Sequence, residues 1–497
     1  MKYVPRFNGV VGCLLGIFLA TGCAGYSKKT EAARAALNSG DTALALKNYN
    51  QALRVKKAGE LPSKSKKNDA LLVLDRAIVE QSLQDYKDSM TDLQYADKKV
   101  EILDLERNTG DEIAKYMFTD SVGPYQAPPY EKIMVNTMNL MNYLAAHQLS
   151  GAKVEARRFS IIQEYLNRGK KKTGAAMSAP GSYLAGFAFE RDGRADIALK
   201  YYDQALAYGE FKTLVAPVRR LLRLSPASAT PRLKELLAHH PLPESSAPSP
   251  SGDDPAADSD VTEHGGSESA NAPGAQGTAA SAADPSELTA ADFLDKPTEL
   301  LVIINYGRVP AKISKRIPIG LALTLGTLWL TPDMNATAGR LAAQGLVTWV
   351  NYPELEPKER PIRTPGVKIN GAWQTLEGAL NVTEQTRAAY DAQKGKIIAA
   401  AVTRMITRAA IGNGAAAAAK DSVVGTMISF GSQALLTAAD TPDTRSWATL
   451  PGRIAFTRTQ LQPGTHKIHL QAQGKSQDIE ITLKKGEWRA LVLTALN

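Results

Sequence analysis

Cysteine is almost absent from this chain, with only two among 497 residues. Both of them, Cys13 and Cys23, lie close to the N-terminus. Residues 24–497 therefore contain no thiol that could act as a nucleophile, bind a metal or form a disulfide. This part of the chain must be held together by ordinary hydrophobic cores. A chain of this length with 44% hydrophobic residues can form two or three of them.

Lysine and arginine are missing between Lys234 and Lys296. The same interval carries eleven Asp and Glu residues between positions 244 and 295, and Pro241–Glu287 has no aromatic and almost no bulky aliphatic residues. Such a segment cannot bury enough apolar surface to offset the entropy of ordering. We therefore predict a disordered acidic linker rich in Pro, Ala, Ser and Gly over residues 241–296, with flanking halves that move independently.

The rest of the chain is basic, since the formal net charge is +9 although the linker is acidic. A basic body suits nucleic acid, an acidic glycan or an anionic lipid surface. The basic residues are scattered along the sequence and form no stripe. We therefore expect mainly a solvated surface and no nucleic-acid partner.

Catalytic motifs are also lacking. No His-Glu-x-x-His pair and no nucleophile elbow occurs in the sequence. His466 and His469 lie three residues apart on a predicted strand, so their side chains should point to opposite faces and cannot share a metal. Ser63 and Lys66 have the spacing of a penicilloyl-type nucleophile pair, but no companion motif accompanies them. The sequence predicts no enzyme, no metal site and no cofactor other than a covalent lipid.

The first 22 residues have the three parts of an export signal. Lys2 and Arg6 precede an apolar core over residues 10–20, which is too short for a permanent membrane helix. Leu19-Ala20-Thr21-Gly22-Cys23 then resembles a bacterial lipobox. That resemblance implies cleavage after residue 22 and a lipid on Cys23. Because Ala24 and not Asp follows the cysteine, it also implies an outer-membrane lipoprotein that faces the periplasm.

The N-terminal half, residues 23–240, has helical periodicity and contains a repeat. Gly40–Leu53 and Gly193–Leu206 agree at eight positions, and the matching residues are spaced four and three apart, as on one face of a helix. These segments resemble the tetratricopeptide family, which implies an array of stacked helical hairpins with a binding groove. The recurring residues are Ala45, Tyr49 and Ala52 in the first copy and Ala198, Tyr202 and Ala205 in the second.

A Pro/Tyr-rich loop interrupts the repeats. Pro124, Pro128 and Pro129 force extended backbone over "PYQAPPYE", and a helix with "VEARR" follows. This combination resembles uncharacterised bacterial outer-membrane lipoproteins with a tetratricopeptide-like N-terminal half. Exposed aromatics on loops and grooves often bind partners, although a packing role is equally open. The candidate partner-binding residues are Tyr49, Tyr125, Tyr130, Glu131 and Tyr202.

The C-terminal half, residues 297–497, changes to the two-residue period of strands. Gly464, Gly474 and Gly486 mark tight turns among the last four strands, which predicts an antiparallel meander. The fold class we expect is α + β. A helical-repeat array comes first, and an antiparallel β-sandwich of immunoglobulin or transthyretin type follows.

A helical insertion over residues 382–439 interrupts these strands. Within it, Arg404–Leu436 predicts two helices joined by a turn at Gly412-Asn413-Gly414. The turn matches a dinucleotide fingerprint by letters alone, but no strand precedes it. The hairpin 404–439 either packs on the sandwich, associates with other copies or enters a bilayer. Arg445 and Trp447 are expected to anchor it to the sheet.

The sequence thus favours a non-enzymatic lipoprotein that acts as a periplasmic scaffold. Its repeats would bind an envelope protein, and its lipid would hold it to the membrane. Peptidoglycan, or an enzyme that builds or cuts it, is a candidate partner by analogy. Two alternatives remain open: an oligomeric assembly or secretion component that uses the hairpin 404–439, and a cryptic envelope hydrolase.

Overall fold

The computed structural model describes residues 25–64, 66–102, 125–168, 175–241, 296–345, 347–357, 361–417 and 441–497. The signal segment with Cys23, nearly all of the linker 241–296 and the second half of the hairpin 404–439 lie outside these ranges. In the described part of the chain, helices come first and a mixed-sheet region follows. The expected α + β class is confirmed. No described helix is both long and apolar enough to cross a bilayer.

Ten helices are described between residues 25 and 241, and consecutive ones contact each other as hairpins: α1 with α2, α3 with α4, α5 with α6, and α7 with α8. Their bounds are Tyr26–Asn38 (α1), Thr42–Leu53 (α2), Asp69–Ser82 (α3), Tyr86–Lys99 (α4), Pro129–Ala145 (α5), Leu149–Arg168 (α6), Ala179–Arg191 (α7), Ala195–Leu206 (α8), Val215–Leu224 (α9) and Pro231–His239 (α10). Two short strands, β1 (Glu101–Ile102) and β2 (Gln126–Ala127), pair in parallel beside them.

Each of the two repeated segments forms the turn and the second helix of a helical hairpin. Gly40 and Gly193 turn the chain with φ of 82° and 79°, in the left-handed region that favours glycine, and α2 and α8 follow. Within the last hairpin, a Cβ on Gly186 would lie 2.5 Å from the ring of Tyr202, so only glycine lets α7 and α8 approach this closely. The repeat seen in the sequence is therefore a repeat of helical hairpins.

Two four-stranded sheets follow, in the orders β12-β3-β9-β8 and β11-β10-β6-β7. Apolar side chains of β3, β6, β10 and β12 share one core between the sheets. The strands are β3 (Glu299–Arg308), β6 (Gly366–Ile369), β7 (Ala372–Gln374), β8 (Glu377–Asn381), β9 (Pro451–Gln460), β10 (Gly464–Ala472), β11 (Lys475–Leu483) and β12 (Trp488–Ala495).

The predicted antiparallel meander of the last four strands is wrong. Only β10 and β11 pair directly, while β9 lies in the other sheet and β12 runs parallel to β3. The reason lies in burial. β12 is apolar on both faces, since Val492 packs towards the helices and Leu493 packs between the sheets. Such a strand needs cover on both sides, whereas β11 alternates between partly and fully exposed residues and lies at a sheet edge.

A smaller unit is inserted between the strands. It has its own core, formed by an antiparallel pair of strands and three helices. The chain also forms a further helix, α13 (Val382–Asp391), which begins at the predicted start of the insertion. The elements of the unit are β4 (Lys312–Pro318), α11 (Ile319–Gly326), α12 (Pro332–Ala343), β5 (Trp349–Leu355) and α14 (Lys394–Ala417).

The predicted turn at Gly412-Asn413-Gly414 is wrong, because α14 continues through these residues to Ala417. Alanines flank the glycines on both sides, and their high helix propensity offsets the cost of two glycines. The remainder of the predicted hairpin, residues 418–440, lies outside the described residues.

The two halves share a single hydrophobic core, so the expectation that they move independently is wrong. Leu301 and Ile303 of β3, Phe456 of β9 and Val492 of β12 belong to the same buried cluster as the helices. α3 and α5 contact β12, and α7 contacts β8. Each half has an apolar face, and burying one face against the other removes both from water.

Phe456→Ala tests this shared core. Phe456 is fully buried, and its ring centroid lies 4.9 Å from that of Tyr183 on α7. We expect the substitution to lower the free energy of unfolding by about 3–5 kcal/mol. Hydrogen exchange should accelerate in α7 as well as in β9, because both elements open together.

Leu328→Ala serves as the control, because Leu328 is 88% exposed. This variant should leave exchange in both elements unchanged. Faster exchange in β9 with unchanged protection of α7 in Phe456→Ala would show that the halves fold separately.

Candidate functional site

The five residues predicted to bind a partner do not form an exposed surface. Tyr49 and Tyr202 are fully buried, Tyr125 and Glu131 are 4% and 5% exposed, and Tyr130 is half-buried. Their large side chains fill the space where the helices meet the C-terminal half. Four of the five therefore pack inside the molecule and are not accessible to a partner, which corrects their predicted role.

One buried junction joins the helices to the Trp447 segment, defined here as residues 441–450. The indole Nε1 of Trp447 donates to the carbonyl oxygen of Leu74 at 3.2 Å. The backbone N–H of Thr449 donates to Asp75 Oδ1 at 3.1 Å, and the Tyr26 hydroxyl donates to the same carboxylate. Trp447 and its neighbours therefore anchor the C-terminal half to the helical array.

Arg445 and Tyr125 complete this junction. The Arg445 guanidinium lies 5.9 Å from the Tyr125 ring centroid and bonds to Asp443 at 2.6 Å. Tyr125 in turn donates to Glu131 Oε2 at 2.5 Å. Arg445 was expected to anchor the hairpin to the sheet, but its described contacts reach the helical half, including Asn68 at 3.2 Å.

Burial changes the acidity of the two carboxyl groups in the junction. It raises the pKa of Asp75 to about 6 and that of Glu131 to about 7, although hydrogen bonds from Tyr26 and Tyr125 oppose the shift. For each group there is therefore a pH interval between the pKa of the unfolded chain and the raised pKa of the folded chain. In that interval the folded chain binds more protons than the unfolded chain.

A second buried junction is an ion cluster between α7, β3 and β9. Arg458 contacts Glu190 and Glu299, each at 2.6 Å, and its Nη1 donates to the Tyr202 hydroxyl at 3.0 Å. Arg191 also pairs with Glu299. Burial alone would raise the pKa of Glu190, but the positive charges of Arg458 and Arg191 lower it to about 2. Paired charges of this kind fix how α7 sits on the sheet.

The outer face of α6 is the exposed feature of the helical array that suits a partner. Val154, Ile161 and Tyr165 are 49%, 68% and 40% exposed. With Arg158 they follow the spacing four, three, four, so they form one line along the helix. We call these four residues the α6 stripe. The opposite face of α6, which carries Ala152, Ala156 and Phe159, is fully buried.

The sequence contained a signal for this stripe that the repeat analysis did not use. α6 has apolar residues on two opposite faces, whereas an ordinary surface helix has one apolar face. Repeat matching finds the small residues of the inner face, Ala152 and Ala156, and passes over the outer line.

No metal site emerges from the described ranges, where no group of three His, Cys, Asp or Glu side chains could hold an ion. On the buried face of β10, His466 Nε2–H donates to the carbonyl oxygen of Gln462 at 2.8 Å, and its Nδ1 accepts from the Asn370 amide at 3.0 Å. The more exposed His469 bonds to Asp478 at 2.8 Å. The two histidines lie on opposite faces, as the spacing predicted.

No family model, no curated protein and no solved structure matches this chain. The functional argument therefore rests on the residues themselves.

Glu131→Gln tests the Trp447 junction by its pH dependence. Wild-type stability should fall as pH rises from about 4.5 to 7, because the folded protein must release a proton that the unfolded chain has already lost. The variant lacks the part of this loss that comes from Glu131 and keeps the part that comes from Asp75. Relative to wild type, its free energy of unfolding should rise by about 2–4 kcal/mol across the interval.

Urea unfolding at a series of pH values measures this difference, and Glu480→Gln, at an exposed position on β11, is the control. Parallel profiles of Glu131→Gln and wild type would contradict the assigned burial cost.

Proposed function

We propose that this protein is a lipid-anchored scaffold of the bacterial envelope that binds a protein partner through the α6 stripe. It is not an enzyme in this proposal. The stripe carries the proposal, since Val154, Ile161 and Tyr165 lie at helical spacing and are 40–68% exposed on an otherwise well-packed array. Exposed apolar lines of this kind are typical of surfaces that bind a partner.

The helical hairpins support a tetratricopeptide-like array. The first helices of the pairs, α1, α3, α5 and α7, provide most of the contacts with the C-terminal half, whereas α6 is the second helix of its pair. In such an array the protein's own sheet occupies the inner face, and a partner binds outside. In this proposal the two-sheet C-terminal half is a sandwich of immunoglobulin or transthyretin type, although its parallel β3–β12 pair departs from that pattern.

Charge indicates the kind of partner. Arg158 is part of the stripe and Arg157 lies beside it, and Arg158 is exposed with a long contact of 3.7 Å to Glu155. An amphipathic helix with an apolar face and acidic flanks matches this arrangement. A periplasmic protein of the envelope is the partner class, and an enzyme of peptidoglycan synthesis or turnover is one candidate within it.

Photocrosslinking tests the stripe. A photoreactive residue placed at position 154, 161 or 165 in cells should capture one and the same protein. The same residue at position 83 should not capture it, since Leu83 is an equally exposed residue (41%) at the end of α3.

The captured partner, once purified, should bind Ile161→Glu at least about 30-fold more weakly than wild type, as expected for loss of a central apolar anchor. Leu83→Glu should bind it normally. Equal capture at position 83, or equal binding by Ile161→Glu, would remove the stripe as the site.

Metabolic labelling with an alkyne fatty acid tests the anchor separately. Wild type should incorporate the label and fractionate with the outer membrane, because the lipobox ends at Cys23. Cys23→Ser should lose the label, and Cys13→Ser, a matched control within the signal, should keep it. A labelled Cys23→Ser variant would contradict acylation at this residue.

A further inference from the structure

The inserted unit presents leucines to water. Leu321 and Leu325 of α11 and Leu328 of the following 3₁₀ turn are 47%, 45% and 88% exposed. Their spacing of four and three places them on one side of the element. We call these three residues the leucine face. No acidic residue occurs between positions 312 and 330.

The opposite side of α11 is firmly packed. Ile319 and Ala322 belong to the core of the inserted unit. A Cβ on Gly326 would lie 3.3 Å from the backbone of Ala399, so α11 and α14 are in close contact. Because the opposite side of α11 is packed, the leucine face points to solvent.

An aromatic and a basic residue lie on the two strands that lead into α11 and α12 or away from them. Pro318, just before α11, pairs across the sheet with Trp349, which is 41% exposed. The guanidinium of Arg316 lies 5.1 Å from the Trp349 ring centroid. Lys315, the preceding residue of β4, is half-exposed but points to the other face of the strand and contacts Glu354 at 3.6 Å. A unit that exposes leucines, a tryptophan and an arginine has the side chains that suit the interface of an anionic bilayer, where apolar groups enter the acyl boundary and cations meet phosphate.

The inserted unit also begins beside the proposed anchor. Tyr26 donates to the carbonyl oxygen of Ser446 at 3.1 Å, and the backbone N–H of Lys312 bonds to the hydroxyl of the same serine at 3.3 Å. Cys23 precedes Tyr26 by three residues, a reach of about 10 Å. β4 then spans about 20 Å from Lys312 to the start of α11.

We propose that the leucine face inserts shallowly into an anionic lipid surface and forms a second membrane contact beside the acyl chains. The geometry of this proposal rests on lipid attachment at Cys23, as proposed above. One contact of this size binds weakly alone, but an anchor a few tens of ångströms away raises its effective concentration. Two attachment points fix the orientation of the protein, which a single flexible anchor does not.

Vesicle flotation of residues 24–497 tests the contact without the lipid. This chain keeps every described residue. Vesicles of phosphatidylcholine with and without phosphatidylglycerol serve as the probe. We expect binding that increases with phosphatidylglycerol, and the increase should disappear at high salt.

The variant Leu325→Glu/Leu328→Glu should partition at least about tenfold less into both kinds of vesicle, since it loses two apolar groups. The matched control is Leu44→Glu/Leu83→Glu, because these leucines are 43% and 41% exposed and lie on the helical array. It should bind as wild type does. Leu328→Asn alone, at the most exposed position, gives the same direction of change with the least risk to folding.

Three results would overturn the proposal: no flotation of wild type, equal flotation of the variant and wild type, or a wild-type dimer by light scattering that the variant dissociates. The last result would assign the leucine face to a second copy of the chain. None of these three results would change the expected outcome of the crosslinking at α6 or of the labelling of Cys23. Conversely, absence of label from the wild-type protein would remove the proposed anchor and leave the vesicle binding of this unlipidated chain as measured.

Discussion

Burial of β3 on both faces is the constraint on which the structure depends. Leu301 and Ile303 point towards the helices, while Leu300, Val302 and Ile304 point towards the second sheet. The strand thus belongs to two cores at once. Because of this double role, the helical array and the two sheets form one packed body, and the acidic linker joins halves that are already in contact.

Buried polar groups determine how the sheet is aligned with the helices. Asn305 of β3 donates to Gln81 of α3 at 3.2 Å, and Thr494 of β12 donates to the same amide oxygen at 2.9 Å. The ion cluster around Arg458 acts in the same way at α7. A shift of the sheet against the helices would leave these groups buried without partners, which costs more than the contacts themselves contribute.

Sequence patterns predicted the elements better than their partners. The helical hairpins, a helix that begins at Val382 and the opposite faces of His466 and His469 follow from local periodicity, and the structure has them. The inserted unit itself begins earlier, at Lys312. The sheet order does not follow, because it depends on which strands are covered on both faces. Tyr49 and Tyr202 were predicted to bind a partner for the same reason. Their sequence pattern is the same whether a partner or the protein's own sheet covers them.

The site residues show the same limit. The α6 stripe and the leucine face are readable as helical spacings, but only the structure shows that the opposite side of each helix is already packed. Exposure, and not apolar character, distinguishes Ile161 from Phe159 two residues earlier.

The parallel pairing of β3 with β12 also affects the order in which the chain can complete its fold. β3 is among the first strands to emerge, yet its partner on one edge is the last strand of the chain, and Asn305 and Thr494 meet across 189 residues. Until β12 arrives, β3 has an open edge and the inner helices have no cover. A long-range closure of this kind is slow. Full burial of the inner helices therefore waits until this C-terminal strand is in place.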